Sequence, residues 1–97
     1  MKLPRKIKVL GQSWKIVTKS LDTDCFGLCS PGERTIYINA DTHPCQHSAT
    51  LLHEFVHAVF SVSGANNLFD ERVEEMLCEV LASALEPLLY RNCNEGE

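Results

Sequence analysis

The sequence predicts an α+β fold, a small antiparallel sheet of three to four strands packed on two C-terminal helices. Three observations predict it. Residues 5–40 repeatedly alternate apolar and polar side chains, the period of half-buried strands. Residues 41–90 change to the spacing of amphipathic helices. Strands that all precede helices favour an antiparallel sheet with its helices segregated to one face. At 97 residues the chain forms one domain. It divides into a β part over 1–40, a first helix over 41–64, a second helix over 67–91 and a polar tail over 92–97.

The strands come in two pairs. Ile7 and Val9 alternate with Lys6 and Lys8, Gly11-Gln12 breaks the run, and alternation resumes from Ser13 to Lys19. These two runs read as a hairpin, with Trp14 on the core side. Cys25–Cys29 is a short third strand. Ser30-Pro31-Gly32-Glu33 has Pro and Gly at the central positions of a type II turn. Arg34–Asn39 follows, with Ile36 and Ile38 on one face, and completes a second hairpin.

Asp41 or Thr42 is placed to cap the first helix, with Pro44 in its first turn and Gly64 as its stop. Asn67 or Asp70 is placed to cap the second. Pro87 is expected to kink that helix or end it near Glu86.

The first helix carries His53-Glu54-Phe55-Val56-His57, an H-E-x-x-H pattern. Residues four apart share a helix face, so both imidazoles can address one metal ion. Zn²⁺ takes imidazole nitrogens readily, and a catalytic zinc keeps a position open for water. Glu54 lies beside the pair, placed to act as general base toward that water. The flanks Leu51, Leu52, Phe55, Val56, Val59 and Phe60 bury the helix on most sides. A charged group there needs a partner or an ion.

Catalytic zinc sites use three protein ligands. Asp70, Glu71, Glu74, Glu75 and Glu79 of the second helix are the candidates. The apolar arc through Val73, Met76, Leu77, Val80, Leu81 and Leu88 is expected to face the core. It includes Glu74, has Glu71 nearer its edge, and turns Glu75 and Glu79 toward solvent. Periodicity therefore prefers Glu74 and allows Glu71 or Asp70. His43 and His47, also four apart, lie too far upstream to join the same ion and are read as surface or capping residues. Tyr37, Tyr90 and these histidines are candidates for polarising a substrate carbonyl.

The chain resembles the small, often phage-encoded, zinc-peptidase-like proteins of the gluzincin type, distant relatives of the ImmA/IrrE metallopeptidases. The resemblance rests on Phe26-Gly27-Leu28-Cys29, Thr35–Asn39, Thr50–Phe60 and Asp70-Glu71 leading into Leu77, Val80, Leu81 and Leu85. It implies a minimal zincin-like hydrolase with His53, His57 and Glu71 as metal ligands, Glu74 being the alternative third ligand. It also implies that the strand Arg34–Asn39 pairs with the backbone of a peptide or protein substrate.

Composition bounds the partners. A formal net charge of −4 disfavours nucleic acid, although Lys2, Arg5, Lys6, Lys8, Lys15 and Lys19 are bunched early. No apolar run is long enough to span a membrane, and the basic residues near Met1 are not followed by an apolar h-region, so no signal peptide is expected. An odd count of five cysteines favours reduced thiols and a cytoplasmic setting. Cys25 and Cys29 lack the second pair that a structural zinc requires. Two functional readings result. One is a zinc metallopeptidase; the other is a non-catalytic module of the same fold that binds a partner protein, such as a host or phage regulator.

Overall fold

A computed structural model describes the backbone of residues 3–95 and the side chains of residues 3–88. Four strands form the sheet: β1 (Lys6–Val9), β2 (Gln12–Lys19), β3 (Gly27–Ser30) and β4 (Thr35–Asn39). Two helices follow, α1 (His47–Ser63) and α2 (Glu71–Glu95). The α+β class and the order of elements agree with the sequence reading.

The first hairpin closes through Leu10 and Gly11, with φ of 48° and 87°. Positive φ at both central residues is the two-residue turn whose twist matches antiparallel strands. Here Val9 pairs with Gln12 and Ile7 with Trp14, so both apolar sets face inward. The second hairpin pairs β3 with β4 from Gly27↔Ile38 to Ser30↔Thr35. Its turn departs from the type II expectation. Pro31–Glu33 form a 3₁₀ turn, and the left-handed residue is Arg34, at φ 51°, instead of Gly32.

The sheet is mixed, which corrects the all-antiparallel expectation. Its order is β1-β2-β4-β3, and β2 runs parallel to β4, with Ile16 opposite Ile36 and Thr18 opposite Ile38. Burial explains the order. Four of the five β4 residues are buried, whereas β3 has none that is fully buried. The strand with more apolar surface to cover takes the interior, and the short strand takes the edge. Both edges of β4 are therefore paired, so Arg34–Asn39 has no free edge for a substrate backbone. The open edge nearer the helices belongs to β3.

The core lies between the sheet and α1. Val9, Trp14, Ile16, Ile36, Ile38, Leu51 and Ala58 form it, with Phe55, Val59 and Val62 packed at its margin. Among the described residues, α2 contributes none to this cluster. The outer side of α2 leaves Met76, Val80 and Leu88 exposed, although periodicity placed them inward. Its buried residues, among those described, are Cys78 and Ala82. α2 thus meets α1 with small and acidic side chains, leaving much of its apolar arc in solvent.

Helix ends also differ in part. A 3₁₀ turn, Pro44–Gln46, precedes α1, and its cap is His43, whose Nδ1 accepts from the Cys45 amide at 3.1 Å. Asp41 and Thr42 are not the caps; Thr42 instead donates its hydroxyl to the Asn39 carbonyl at 2.7 Å. Gly64 ends α1 in the left-handed conformation, as expected. Asp70 caps α2, its carboxylate accepting from the Val73 amide at 2.9 Å. Pro87 does not end α2, which runs on to Glu95. Proline removes the bond to the carbonyl four residues back, here Ser83. Ser83 is exposed, so water can satisfy that carbonyl. Residues 96–97 of the expected tail, and the side chains of Tyr90 and Cys93, lie outside the described residues.

Two contacts position the elements around the motif. Buried Asn39 accepts from the amides of Leu21 and Asp41 and donates to the carbonyls of Asp22 and Cys25. It ties the loop before β3 to the entry of α1. Gly27 marks a close approach of β3 to α1. A methyl group there would lie 2.6 Å from Thr50 Cγ2, 2.9 Å from the Tyr37 carbonyl oxygen and 3.3 Å from Glu54 Cγ. Gly27→Ala should therefore destabilise the fold by about 1–3 kcal/mol through overpacking. Thr50→Ser should recover part of this, because the Tyr37 oxygen remains. Thermal or urea denaturation of both variants checks it, and an unchanged midpoint in Gly27→Ala would refute the close approach.

Candidate metal centre

The two motif histidines lie one turn apart on α1, with ring centroids 5.0 Å apart. Both rings face α2. The Nε2 atoms converge on one carboxylate: Glu75 Oε1 is 2.7 Å from His53 Nε2, and Glu75 Oε2 is 3.0 Å from His57 Nε2. Each Nδ1 has a carboxylate of its own. Glu79 Oε1 is 2.7 Å from His53 Nδ1, and Glu74 Oε2 is 2.6 Å from His57 Nδ1. Glu75 and Glu79 follow Glu74 along α2 by one and five positions, so one side of the helix delivers all three.

The contacts distinguish the three glutamates by which imidazole nitrogens they reach. Metal-binding imidazoles characteristically give their second nitrogen to a carboxylate or carbonyl, which fixes the ring orientation. For an ion between the two Nε2 atoms, Glu75 could serve as third ligand, and Glu74 and Glu79 could orient the imidazoles. His53, His57 and Glu75 bring one donor atom each to within 4.8 Å of one another. Two imidazoles and a carboxylate are a donor set suited to Zn²⁺. Three glutamates against two imidazoles also leave an excess of negative charge that a dication would offset.

Glu71, expected as third ligand, is exposed at the first position of α2 and belongs to neither group of converging donors. Glu74 reaches His57, but at Nδ1, on the side away from the Glu75 contact. Glu75 and Glu79 are more exposed, at 54% and 67% of their side chains, yet both contact His53. The sequence reading missed them because it assumed that the apolar arc of α2 faces α1. Their spacing, with Glu75 and Glu79 one helical turn apart, was the available signal.

His43 remains at its 3₁₀ cap. His47 opens α1 and lies outside both ligand groups. Tyr37 is on β4, held by Glu33 at 2.8 Å and by Lys19 over its ring. Neither cavity beside the motif includes Tyr37 in its lining.

Glu54 is 9% exposed, and no hydrogen-bond donor to its carboxylate is found among the described residues. Burial pushes its pKa upward, the two imidazoles pull it down, and Glu75 adds to the rise; the net direction is up. Burial also raises the thiols of Cys29 and Cys78 to about 12, with neighbouring carboxylates adding to the effect. These cysteines are protonated at neutral pH in the absence of an ion.

Two cavities adjoin Glu54. The larger, about 510 Å³, is lined by Phe26, Gly27, Thr50, His53, Glu54 and Glu75, among others. The smaller, about 290 Å³, includes Leu28, Cys29, Glu54, His57 and Glu74. β3 contributes to both, so its open edge passes the general-base candidate.

The sign of the Glu54 shift gives a stability test. A carboxyl whose folded pKa is raised favours folding while protonated. That contribution is lost as pH rises from the ordinary carboxylate range through the folded pKa. Metal-free Glu54→Gln should therefore be more stable than the metal-free parent at neutral pH. The difference should shrink as the pH falls through the carboxylate range. Urea titrations across that range check it, and a less stable variant at neutral pH would contradict the burial argument.

No helix among the described residues is long and apolar enough to cross a membrane. Comparison with protein-family models, curated proteins and solved structures returns no match.

Proposed function

We propose that this chain is a zinc-dependent metallopeptidase in which His53, His57 and Glu75 hold the ion. The observation that carries this reading is the convergence of both Nε2 atoms on Glu75, with a separate carboxylate behind each Nδ1. Bound Zn²⁺ supplies Lewis acidity, which activates a water and polarises a carbonyl.

The chain's own groups do the rest. Glu54 accepts a proton from the attacking water and delivers it to the departing amine nitrogen. Its raised proton affinity suits both halves of that task. Glu74 and Glu79 hold the two imidazoles in orientation through their Nδ1 atoms. The open edge of β3 is the candidate rail for an extended peptide, since strand edges bind peptide backbone by adding a strand. Gly27 keeps that edge close to Glu54.

The alternative is a non-catalytic module of this fold that binds a host or phage regulator. One observation favours it: Leu68, Met76, Val80 and Leu88 expose apolar surface along and just before α2.

Metal analysis and peptide hydrolysis on a set of variants separate the readings. The peptidase reading expects about one zinc per chain, lost in Glu75→Gln and retained in Glu71→Gln. It expects Glu54→Gln to keep the metal and lose about 10²–10⁴-fold in hydrolysis of unfolded-protein or peptide-library substrates. Zinc retained together with full hydrolysis in Glu54→Gln would sink the mechanism. Zinc without any hydrolysis by the parent protein would favour the binding module.

A further inference from the structure

The His57 ring stands between two donor sets. Its Nε2 faces Glu75; its Nδ1 lies 2.6 Å from Glu74 Oε2. Cys78 follows Glu74 by one helical turn and so shares its face of α2. Donor atoms of His57, Glu74 and Cys78 lie within 4.8 Å of one another. We propose that these three residues form a second metal site, selective for thiophilic dications such as Cd²⁺, that competes with the first site for His57.

The donor chemistry supports the selectivity. A sulfur ligand favours soft ions, whereas the first site offers only nitrogen and oxygen. Charge points the same way. The Cys78 thiolate and the Glu74 carboxylate together neutralise a dication, which suits a buried position. The first site's own ligands, with Glu75 as the one anion, leave a positive charge that only the surrounding carboxylates offset. Burial differs accordingly: Cys78 is 0% exposed and the Glu74 side chain 17%, against 54% for Glu75.

Binding balances simply. The metal–sulfur bond forms as the Cys78 thiol releases its proton to solvent. The ion replaces the contact between His57 Nδ1 and Glu74. A neutral imidazole has one lone pair, so an ion on Nδ1 leaves a proton on Nε2. The two sites therefore exclude each other, and a soft ion withdraws His57 from the first. The smaller cavity reaches His57 and Glu74 and provides an entry path. The inference shares His57 with the proposed peptidase site but does not depend on hydrolysis.

The test is titration of the metal-free full chain with Cd²⁺, followed by thiolate-to-cadmium charge-transfer absorption in the ultraviolet. The expected result is one tight equivalent with that band. The band should disappear in Cys78→Ser and persist in Glu75→Gln. Glu74→Gln should weaken Cd²⁺ binding by about 10–100-fold or more, the range already seen when a mere outer-shell partner is removed. Glu74→Gln keeps the size and shape of the side chain, so this variant keeps the test available if Cys78→Ser does not fold. No band in the parent would overturn the proposal. So would a band that survives Cys78→Ser, which would assign it to another cysteine, or unchanged affinity in Glu74→Gln.

Discussion

The seam between α1 and α2 is lined by carboxylate–imidazole contacts, and the candidate centre depends on them. The sheet and α1 share an apolar core, to which α2 contributes no residue among those described. Glu74, Glu75 and Glu79 instead meet His53 and His57 in four contacts of 2.6–3.0 Å. Such contacts are worth little where water reaches them, and Glu75 and Glu79 are more than half exposed. A dication between the helices would change the balance, since a ligand that binds only the folded state stabilises it. On this account the site and the docking of the second helix are one device.

The fold exposes this device along one side. The sheet supplies a rigid floor, Gly27 allows β3 to approach α1, and Asn39 secures the loop that precedes β3. Glu54 is consequently buried from the sheet side and reached from two cavities. A carboxyl in that position has few ways to be solvated, which raises its proton affinity. The same burial that disfavours its charge suits it to carry a proton.

Much of this was legible in the residues. Alternation around Ile7, Trp14, Ile36 and Ile38 identified the strands, and H-E-x-x-H placed both imidazoles on one helix face. Gly64 and Asp70 marked helix boundaries because each satisfies or releases backbone groups locally. Strand order was less accessible. It depends on how much surface each strand must bury, and β3 and β4 are similar in type while differing in burial. The carboxylate that meets both imidazoles, Glu75, was hidden for a related reason. Met76, Val80 and Leu88 form an apolar arc that looks core-facing, yet they are exposed. The side of α2 that meets α1 includes Glu74, Glu75, Glu79 and Glu86, with Cys78 and Ala82 buried on the same helix. A hydrophobic period finds the core when burial decides a helix's orientation, and it misleads when charged contacts decide it.

Zinc K-edge X-ray absorption on protein loaded with one equivalent of Zn²⁺ tests the central claim most directly. The account predicts two imidazole nitrogens at about 2.0–2.1 Å, with the remaining donors oxygen. This signature should be lost in Glu75→Gln. A sulfur shell at about 2.3 Å, or a single imidazole, would contradict it by placing zinc outside the His53–His57–Glu75 group.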